Sequence, residues 1–130
     1  MNEDRVVWGD VLVVSLPGHI PPGREQEGLR PAVVVGIPPN PLRFPVLILA
    51  PLTTQRGTWS DANRLTYPEL AAGVGGLSRP STVLLDQIRA CDAARIRGRL
   101  GHLDEEALTR IQRGLWTLFR APTPGAPTTE

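Results

Sequence analysis

The sequence predicts a small, mainly β (α+β) protein: an antiparallel sheet curled into a barrel and covered by one C-terminal helix. Three apolar runs rich in β-branched residues are separated by Pro and Gly, which is typical of short strands. One amphipathic pattern follows near the end of the chain. Long helices do not alternate with the strands, which argues against a parallel α/β sheet. We expect a single domain over residues 1–120 and a disordered Pro/Thr-rich tail over residues 121–130.

The first three strands are predicted from apolar runs with clear ends. Residues 6–16 form the first, with a bend at Gly9 and Asp10. The continuous apolar run at residues 32–37 has the length of a buried strand. Residues 44–52 form the third strand, with prolines marking its ends. We expect the second and third strands to be antiparallel neighbours.

The middle of the chain gives weaker signals. Residues 53–80 are polar and Gly-rich, with a short strand predicted around residues 64–67. Residues 81–88 predict another strand, and residues 98–103 a short edge strand. Asp92 is placed to cap a short helical turn between them.

The last predicted element is an amphipathic helix. Asp104 is a suitable N-cap, and Glu106 and Arg110 have the spacing of an i,i+4 ion pair. The predicted apolar face consists of Leu108, Ile111, Leu115, Leu118 and Phe119.

Composition limits the functional classes. The chain has 14 basic residues, all Arg, against 13 acidic ones, for a net charge of +1. A broad basic face for duplex binding is therefore not expected, and any nucleic-acid contact must be local or assembled across two subunits. A lone cysteine, Cys91, excludes an internal disulfide and is expected to be a small buried group. No signal peptide, membrane-spanning run or zinc-site spacing is recognised, so we expect a cytoplasmic protein.

A charged loop is the first candidate for a functional site. Residues 17–29 make a long loop for so small a domain, and long loops are often functional. Its charged part, residues 23–31, ends at Arg30, where the chain enters a buried strand and a side chain can be held rigidly. If the second and third strands pair antiparallel, Thr53 lies on the same rim as Arg30. The alternatives are a solvated charged turn and a threonine that only caps a turn.

Two further groups are candidates. Asp86 and Gln87 bring a polar pair into an otherwise apolar predicted strand, where alternation would send them to opposite faces. The two histidines, His19 and His102, cannot be paired from the sequence. Each alone is more often a surface residue than a general base.

Four segments carry a family resemblance. They are WGDVLVVSL, GREQEGLRPAVVV, VLILAPLTT and VLLDQIRACD. In order and spacing, over residues 6–118, they resemble the successive motifs of the MazF/PemK family of toxin endoribonucleases. Trp8 departs from the family's frequent Arg-Gly-Asp at the start of the first motif, which removes a positive charge that we expect near the groove.

The resemblance implies a fold, a reaction and partners. The fold is an SH3-like barrel with a C-terminal helix, as in CcdB/PemK-like proteins, and the protein forms a homodimer. The implied reaction is cleavage of single-stranded RNA at short motifs without a metal or cofactor, which leaves a 2′,3′-cyclic phosphate and a 5′-hydroxyl and inhibits translation and growth. A cognate MazE-like antitoxin neutralises it with a tail that occupies the RNA groove.

The resemblance also implies roles for individual residues. Arg30 and Thr53 match the catalytic positions. The residues expected to contact RNA are Arg24, Glu25, Gln26, Arg56 and Gln87. Because an arginine is a poor base at its usual pKa, Glu25 or His19 is the expected proton carrier.

Two alternatives use the same scaffold. One is a CcdB-like gyrase poison without catalysis, which would need neither Arg30 nor Thr53. The other is an inactive RNA-binding or structural relative. Trp59 is expected either at the dimer interface or in the core.

Overall fold

The computed structural model describes residues 5–17, 28–38 and 45–120. Some of the predictions above fall outside these ranges. They concern most of the loop at residues 17–29, with His19, Arg24, Glu25 and Gln26, and the tail at residues 121–130.

The described part of the chain contains seven strands and two α-helices. The strands are β1 (Asp10–Leu16), β2 (Gly28–Gly36), β3 (Val46–Thr53), β4 (Glu69–Leu70), β5 (Ser81–Val83), β6 (Arg89–Asp92) and β7 (Ile96–His102). The helices are α1 (Thr58–Asp61) and α2 (Glu105–Phe119). The strands pair antiparallel in the order β4-β5-β3-β2-β1-β7, and β6 also pairs with β3. This confirms the predicted mainly β fold with a C-terminal helix.

Strand β3 is the centre of the sheet. It pairs with β2 along one side, as predicted, while β6 and β5 cover the two ends of its other side. The single strand predicted at residues 81–88 is wrong, because β5 ends at Val83 and a 3-10 turn over Leu85–Gln87 precedes β6. In this turn Leu85 leaves the ladder and becomes fully buried in the core that α2 covers.

The chain bends sharply just before β1. Gly9 has a φ of +91°, and the Val7 amide donates to the carboxylate of Asp10 at 2.9 Å. The predicted bend is therefore confirmed, but the strand begins at Asp10 and not at residue 6. Asp10 is fully buried, and its Oδ1 accepts from Arg99 Nη2 and contacts His102 Nδ1, both at 2.9 Å. His102, expected to be a surface residue, is partly exposed and holds this carboxylate.

Both faces of β2 are buried at residues 32–35, which explains the uninterrupted apolar run in this strand. Alternate residues of that strand enter two separate clusters, as the period of two requires. The cluster under α2 includes Val11, Val33, Val35, Leu52, Leu85 and Ile111. The opposite cluster includes Leu12, Val14, Ala32, Val34, Leu49 and Cys91, so the expected burial of the cysteine is confirmed.

Helix α2 starts as predicted. The Asp104 carboxylate accepts from the Ala107 amide at 2.9 Å, and Arg110 bonds to Glu106 at 2.7 Å. The predicted apolar face is wrong at its end, because Leu118 and Phe119 are 40% and 64% exposed. The core contacts of α2 lie in its first three turns, so the last turn has nothing to cover. Neither helix in the described ranges has the length and apolarity that crossing a membrane requires.

Candidate active site

Arg30 and Thr53 reach neighbouring positions because β2 and β3 pair antiparallel. Ala32 lies opposite Pro51 in the register of these strands. Arg30 and Thr53 each stand two residues beyond that pair, toward the same end of the sheet. Since side chains two residues apart point to the same face of a strand, the two belong to one face. The register thus places these two predicted site residues on one face, at the same end of the β2–β3 pair.

Arg30 lies inside a strand and not at its edge. Strand β2 begins at Gly28, so the predicted loop is shorter at this end, and Arg30 pairs with Val14 of β1. Gly28 has a φ of +85°, a conformation that favours glycine at the start of the strand. Pairing with β1 holds the backbone of Arg30, and its side chain is exposed.

Thr53 is the last residue of β3. Its Oγ1 accepts a hydrogen bond from the Gln55 amide at 3.1 Å, so the turn-capping alternative is observed. That bond uses an acceptor lone pair of the oxygen. The hydroxyl hydrogen can still donate to another group, and capping the turn is therefore compatible with a role in catalysis.

A groove opens beside Thr53. It has a volume of about 310 Å³ and we call it the aromatic groove. Its lining residues are Thr53, Gln55, Trp59, Tyr67, Leu84, Asp86 and Gln87.

Helix α1 carries Trp59 into this groove. The helix is a single turn, stabilised by bonds between Ser60 Oγ and the backbone of Gly57. A Cβ at Gly57 would lie 2.8 Å from two atoms of the Trp59 indole, so a glycine is needed for this position of the ring. The indole is 40% exposed, and it contacts Tyr67 edge to face, with the ring centroids 4.9 Å apart.

Tyr67 links the aromatic wall of the groove to a carboxylate. Its hydroxyl donates to Asp86 Oδ2 at 2.5 Å. This hydrogen bond, burial and the charge of Asp86 all raise the pKa of Tyr67. The phenol therefore stays protonated at neutral pH and holds the carboxylate at one position.

Asp86 and Gln87 both line the groove. Their predicted opposite orientations are wrong, because they lie in the 3-10 turn and alternation holds only within a strand. The turn brings the carboxylate and the amide to one surface.

Arg56 lies near the groove but its charge is partly compensated. Its guanidinium bonds to Glu69 at 2.9 Å and lies 3.8 Å from Asp61. The side chains of all three are partly exposed, so these pairs add little stability. They do reduce the positive charge that Arg56 can offer to a phosphate.

Trp8 is far from Arg30. Its indole donates to the Val35 carbonyl at 2.8 Å, five residues along β2 from Arg30. At about 3.3 Å per residue this is roughly 16 Å. Trp8 packs against the core that α2 covers, and its expected effect on charge near the RNA groove stays a prediction.

Three aromatic and polar groups of the groove were not predicted as a site. Trp59 was expected at an interface or in the core, and Tyr67 within a short strand, but residues 64–67 form a turn whose bonds return to Asn63. Gln55 had no assigned role. Two aromatic residues in an otherwise polar segment were the available signal. Within the described ranges, no three His, Cys, Asp or Glu side chains are grouped as metal ligands would be.

Comparison with known proteins relates this fold and site to one family. Residues 8–119 match the family described as "PemK-like, MazF-like toxin of type II toxin-antitoxin system". Endoribonuclease EndoA of Bacillus subtilis is 33% identical over 107 residues, covering 82% of this chain and 88% of that protein.

Solved structures agree on the fold. A mycobacterial endoribonuclease in complex with its cognate antitoxin aligns with a TM-score of 0.67 at 19% identity, over 92% of this chain and all of that one. MazF from Deinococcus radiodurans aligns with a TM-score of 0.63 at 21% identity, over 85% of this chain and 93% of that one. The family match extends over most of the described structure, including both β2 and β3 with Arg30 and Thr53. The chain belongs to the PemK-like, MazF-like family of toxins from type II toxin–antitoxin systems.

Proposed function

We propose that this toxin is an endoribonuclease that cuts single-stranded RNA at short sequence motifs, with Arg30 and Thr53 as its catalytic residues. The observation that carries the proposal is the antiparallel register of β2 and β3, in which Arg30 and Thr53 each lie two residues beyond the Ala32–Pro51 pair, and Thr53 lines the aromatic groove. Family membership and the activity named for the Bacillus relative agree with it.

The proposed reaction is an internal transfer that needs no metal. The 2′-hydroxyl of the RNA attacks the adjacent phosphorus, so a P–O2′ bond forms and the P–O5′ bond breaks. The products are a 2′,3′-cyclic phosphate and a 5′-hydroxyl. The proton of the 2′-hydroxyl passes to a base, and the departing 5′-oxygen gains a proton.

Both residues can stabilise the phosphate group in this step. The planar guanidinium of Arg30 can donate two hydrogen bonds to the phosphate oxygens, where negative charge accumulates in the transition state. Thr53 can donate its hydroxyl to the same group. We propose that Glu25 or His19 moves the protons. The residues proposed to contact the RNA are Arg24, Glu25, Gln26, Arg56 and Gln87.

We also propose that two copies of the chain form a homodimer and that a cognate antitoxin neutralises it. A net charge of only +1 favours a groove assembled from two copies over a single-copy surface. The antitoxin's extended tail would occupy the same groove as the RNA. The RNA substrate of the toxin would place this protein in the cytoplasm, where cleavage of RNA stops translation and growth.

The test is cleavage of a long single-stranded RNA in the presence of EDTA. We expect Arg30→Ala and Thr53→Ala to lower the cleavage rate by about two orders of magnitude or more, as removal of a transition-state donor does. Arg30→Lys should also be strongly impaired because lysine cannot make the paired bonds. Sequencing the 5′ ends of the products gives the cleavage motif.

The matched control is Arg79→Ala, an exposed arginine outside the groove, which should cleave at the rate of the unaltered protein. RNA left whole by the unaltered protein would contradict the proposal. In that case, inhibition of gyrase would identify the CcdB-like alternative, and RNA binding without cleavage the inactive relative.

A further inference from the structure

The aromatic groove contains side chains that have no role in the catalysis proposed for Arg30 and Thr53. Trp59 is 40% exposed although an indole is among the most costly groups to leave in water. Gly57 and the short helix α1 fix its backbone, and Asn63 Nδ2 donates to its carbonyl at 2.8 Å. A large aromatic surface is thus held in place and left uncovered beside Thr53.

A fixed hydrogen-bond acceptor lies in the same groove. Tyr67 contacts the Trp59 ring edge to face, and its hydroxyl holds Asp86 Oδ2. A carboxylate has two oxygens and about four lone-pair sites, so Asp86 can accept a further bond while it keeps the one from Tyr67. Asp86 therefore presents an acceptor at a defined position relative to the indole.

We propose that Trp59, Tyr67 and Asp86 form a subsite for one unpaired RNA base that carries an exocyclic amino group. The base stacks on the Trp59 indole and its amino group donates to the carboxylate of Asp86. Tyr67 is a positioning residue, since it acts by holding Asp86. The inference rests on the proposed function in that RNA is taken as the substrate.

The chemistry of the groove favours such a base. Unpaired bases are commonly recognised by stacking on aromatic side chains together with hydrogen bonds to their edges. A volume of about 310 Å³ has room for one base and its first water molecules. An ionised carboxylate only accepts, so it matches the amino group of cytosine, adenine or guanine and repels the O4 carbonyl of uracil.

Because Thr53 lines this groove as well, the selected base is placed next to the cleaved phosphate. The subsite would therefore fix one position of the cleavage motif. It would favour a base with an amino group over uracil there, while leaving the rest of the motif to other contacts.

The experiment compares cleavage of an RNA oligonucleotide library by the unaltered protein and by variants of the subsite. Trp59→Ala should lower kcat/KM about ten- to a hundredfold, the usual effect of losing one base–aromatic stack. Trp59→Phe should retain most of the activity. Asp86→Asn should admit uracil at one motif position, because an amide can donate to O4. Tyr67→Phe keeps the ring contact and should relax the preference at that same position.

Trp116→Ala is the matched control, since this indole is 73% exposed on α2 outside the groove, and its cleavage should match the unaltered protein. An unchanged base preference in Asp86→Asn and Tyr67→Phe, with folding confirmed by circular dichroism, would overturn the inference. So would a Trp59→Ala variant that loses affinity for an antitoxin peptide and still cleaves RNA normally.

The two proposals can fail separately. If the unaltered protein cleaves RNA and the variants keep its base preference, only the subsite is wrong. If it binds RNA without cleaving, fluorescence polarisation with the same oligonucleotides still measures the preference. A protein that neither cleaves nor binds RNA would overturn both.

Discussion

At the scale of single residues, Asp10 is the polar group on which the start of the sheet depends. It is fully buried, and one of its oxygens serves Arg99 and His102 while the other accepts from the Val7 amide. The bonds tie the incoming chain and β7 to β1. A buried acceptor with three such partners stabilises only while all of them are present.

We expect Asp10→Asn to lower the free energy of unfolding by about 2 kcal/mol, because the amide nitrogen would face donors and leave one of them unpaired. Urea unfolding followed by circular dichroism measures this. Asp61→Asn is the matched control: its ion pairs at 3.8 and 3.9 Å are exposed, and its stability should change by less than about 0.5 kcal/mol. Equal effects of the two substitutions would show that Asp10 and its partners contribute no more to stability than an exposed ion pair does.

The positions of single residues in the chain also explain which parts of the candidate site could be predicted from the sequence. Arg30 and Thr53 were predictable as neighbours because each adjoins an apolar run of β2 or β3, and the antiparallel register sets the ends of these runs side by side. Tyr67 and Asp86 were not, since their bond spans 19 residues across a turn and a 3-10 turn that leave no periodic pattern. The role of His102 depends on its approach to Asp10, 92 residues away in the chain.

At the scale of elements, the contact between α2 and the turn at residues 64–67 is set by a glycine. A Cβ at Gly114 would lie 2.2 Å from the Leu65 carbonyl oxygen and 2.4 Å from Leu85 Cδ1. Helix propensity alone favours alanine over glycine by about 1 kcal/mol. A contact with backbone cannot be relieved by a rotamer change, so packing should outweigh propensity here.

Gly114→Ala is therefore expected to destabilise the protein by about 1–3 kcal/mol, the usual cost of overpacking. Thermal unfolding measures the shift in melting temperature, whose sign shows whether Gly114→Ala destabilises the protein. Gly98→Ala is the control, because nothing lies within 4 Å of a Cβ at that position of β7. A Gly114→Ala protein that melts at a higher temperature would mean that α2 moves away from the turn at little cost.

Elements with strong patterns were predicted better than short ones. The β2–β3 pair, the cap of α2 and the bend at Gly9 follow from apolar runs, an Asp and a glycine that act locally. Helix α1 is one turn long, and its stability comes from Ser60 and from the packing of Trp59, not from any helical period. At Leu85 the tertiary contacts determine a 3-10 turn, whereas the local sequence pattern predicted a strand.

At the scale of the whole molecule, charge is balanced in the total and also locally. The net charge is +1, and several arginines are paired in the described ranges: Arg56 with Glu69, Arg99 with Asp10 and Arg110 with Glu106. Each of these pairs offsets the charge of one guanidinium group, and the net charge of the chain is low. RNA binding should therefore depend on a small number of charges together with stacking in the aromatic groove.

The salt dependence of RNA binding tests this balance. If each site neutralises about three phosphates, log K should fall with log salt at a slope of about −2, since single strands release roughly 0.7 counterion per phosphate. Binding is measured by fluorescence polarisation with Thr53→Ala, which slows cleavage and keeps every arginine. Adding Arg30→Ala to this variant should make the slope shallower by about 0.7, and adding Arg79→Ala should leave it unchanged. Light scattering on the same samples gives the oligomeric state and hence the number of sites. A slope steeper than about −5 would mean a broad basic surface, contrary to the charge pairing seen here.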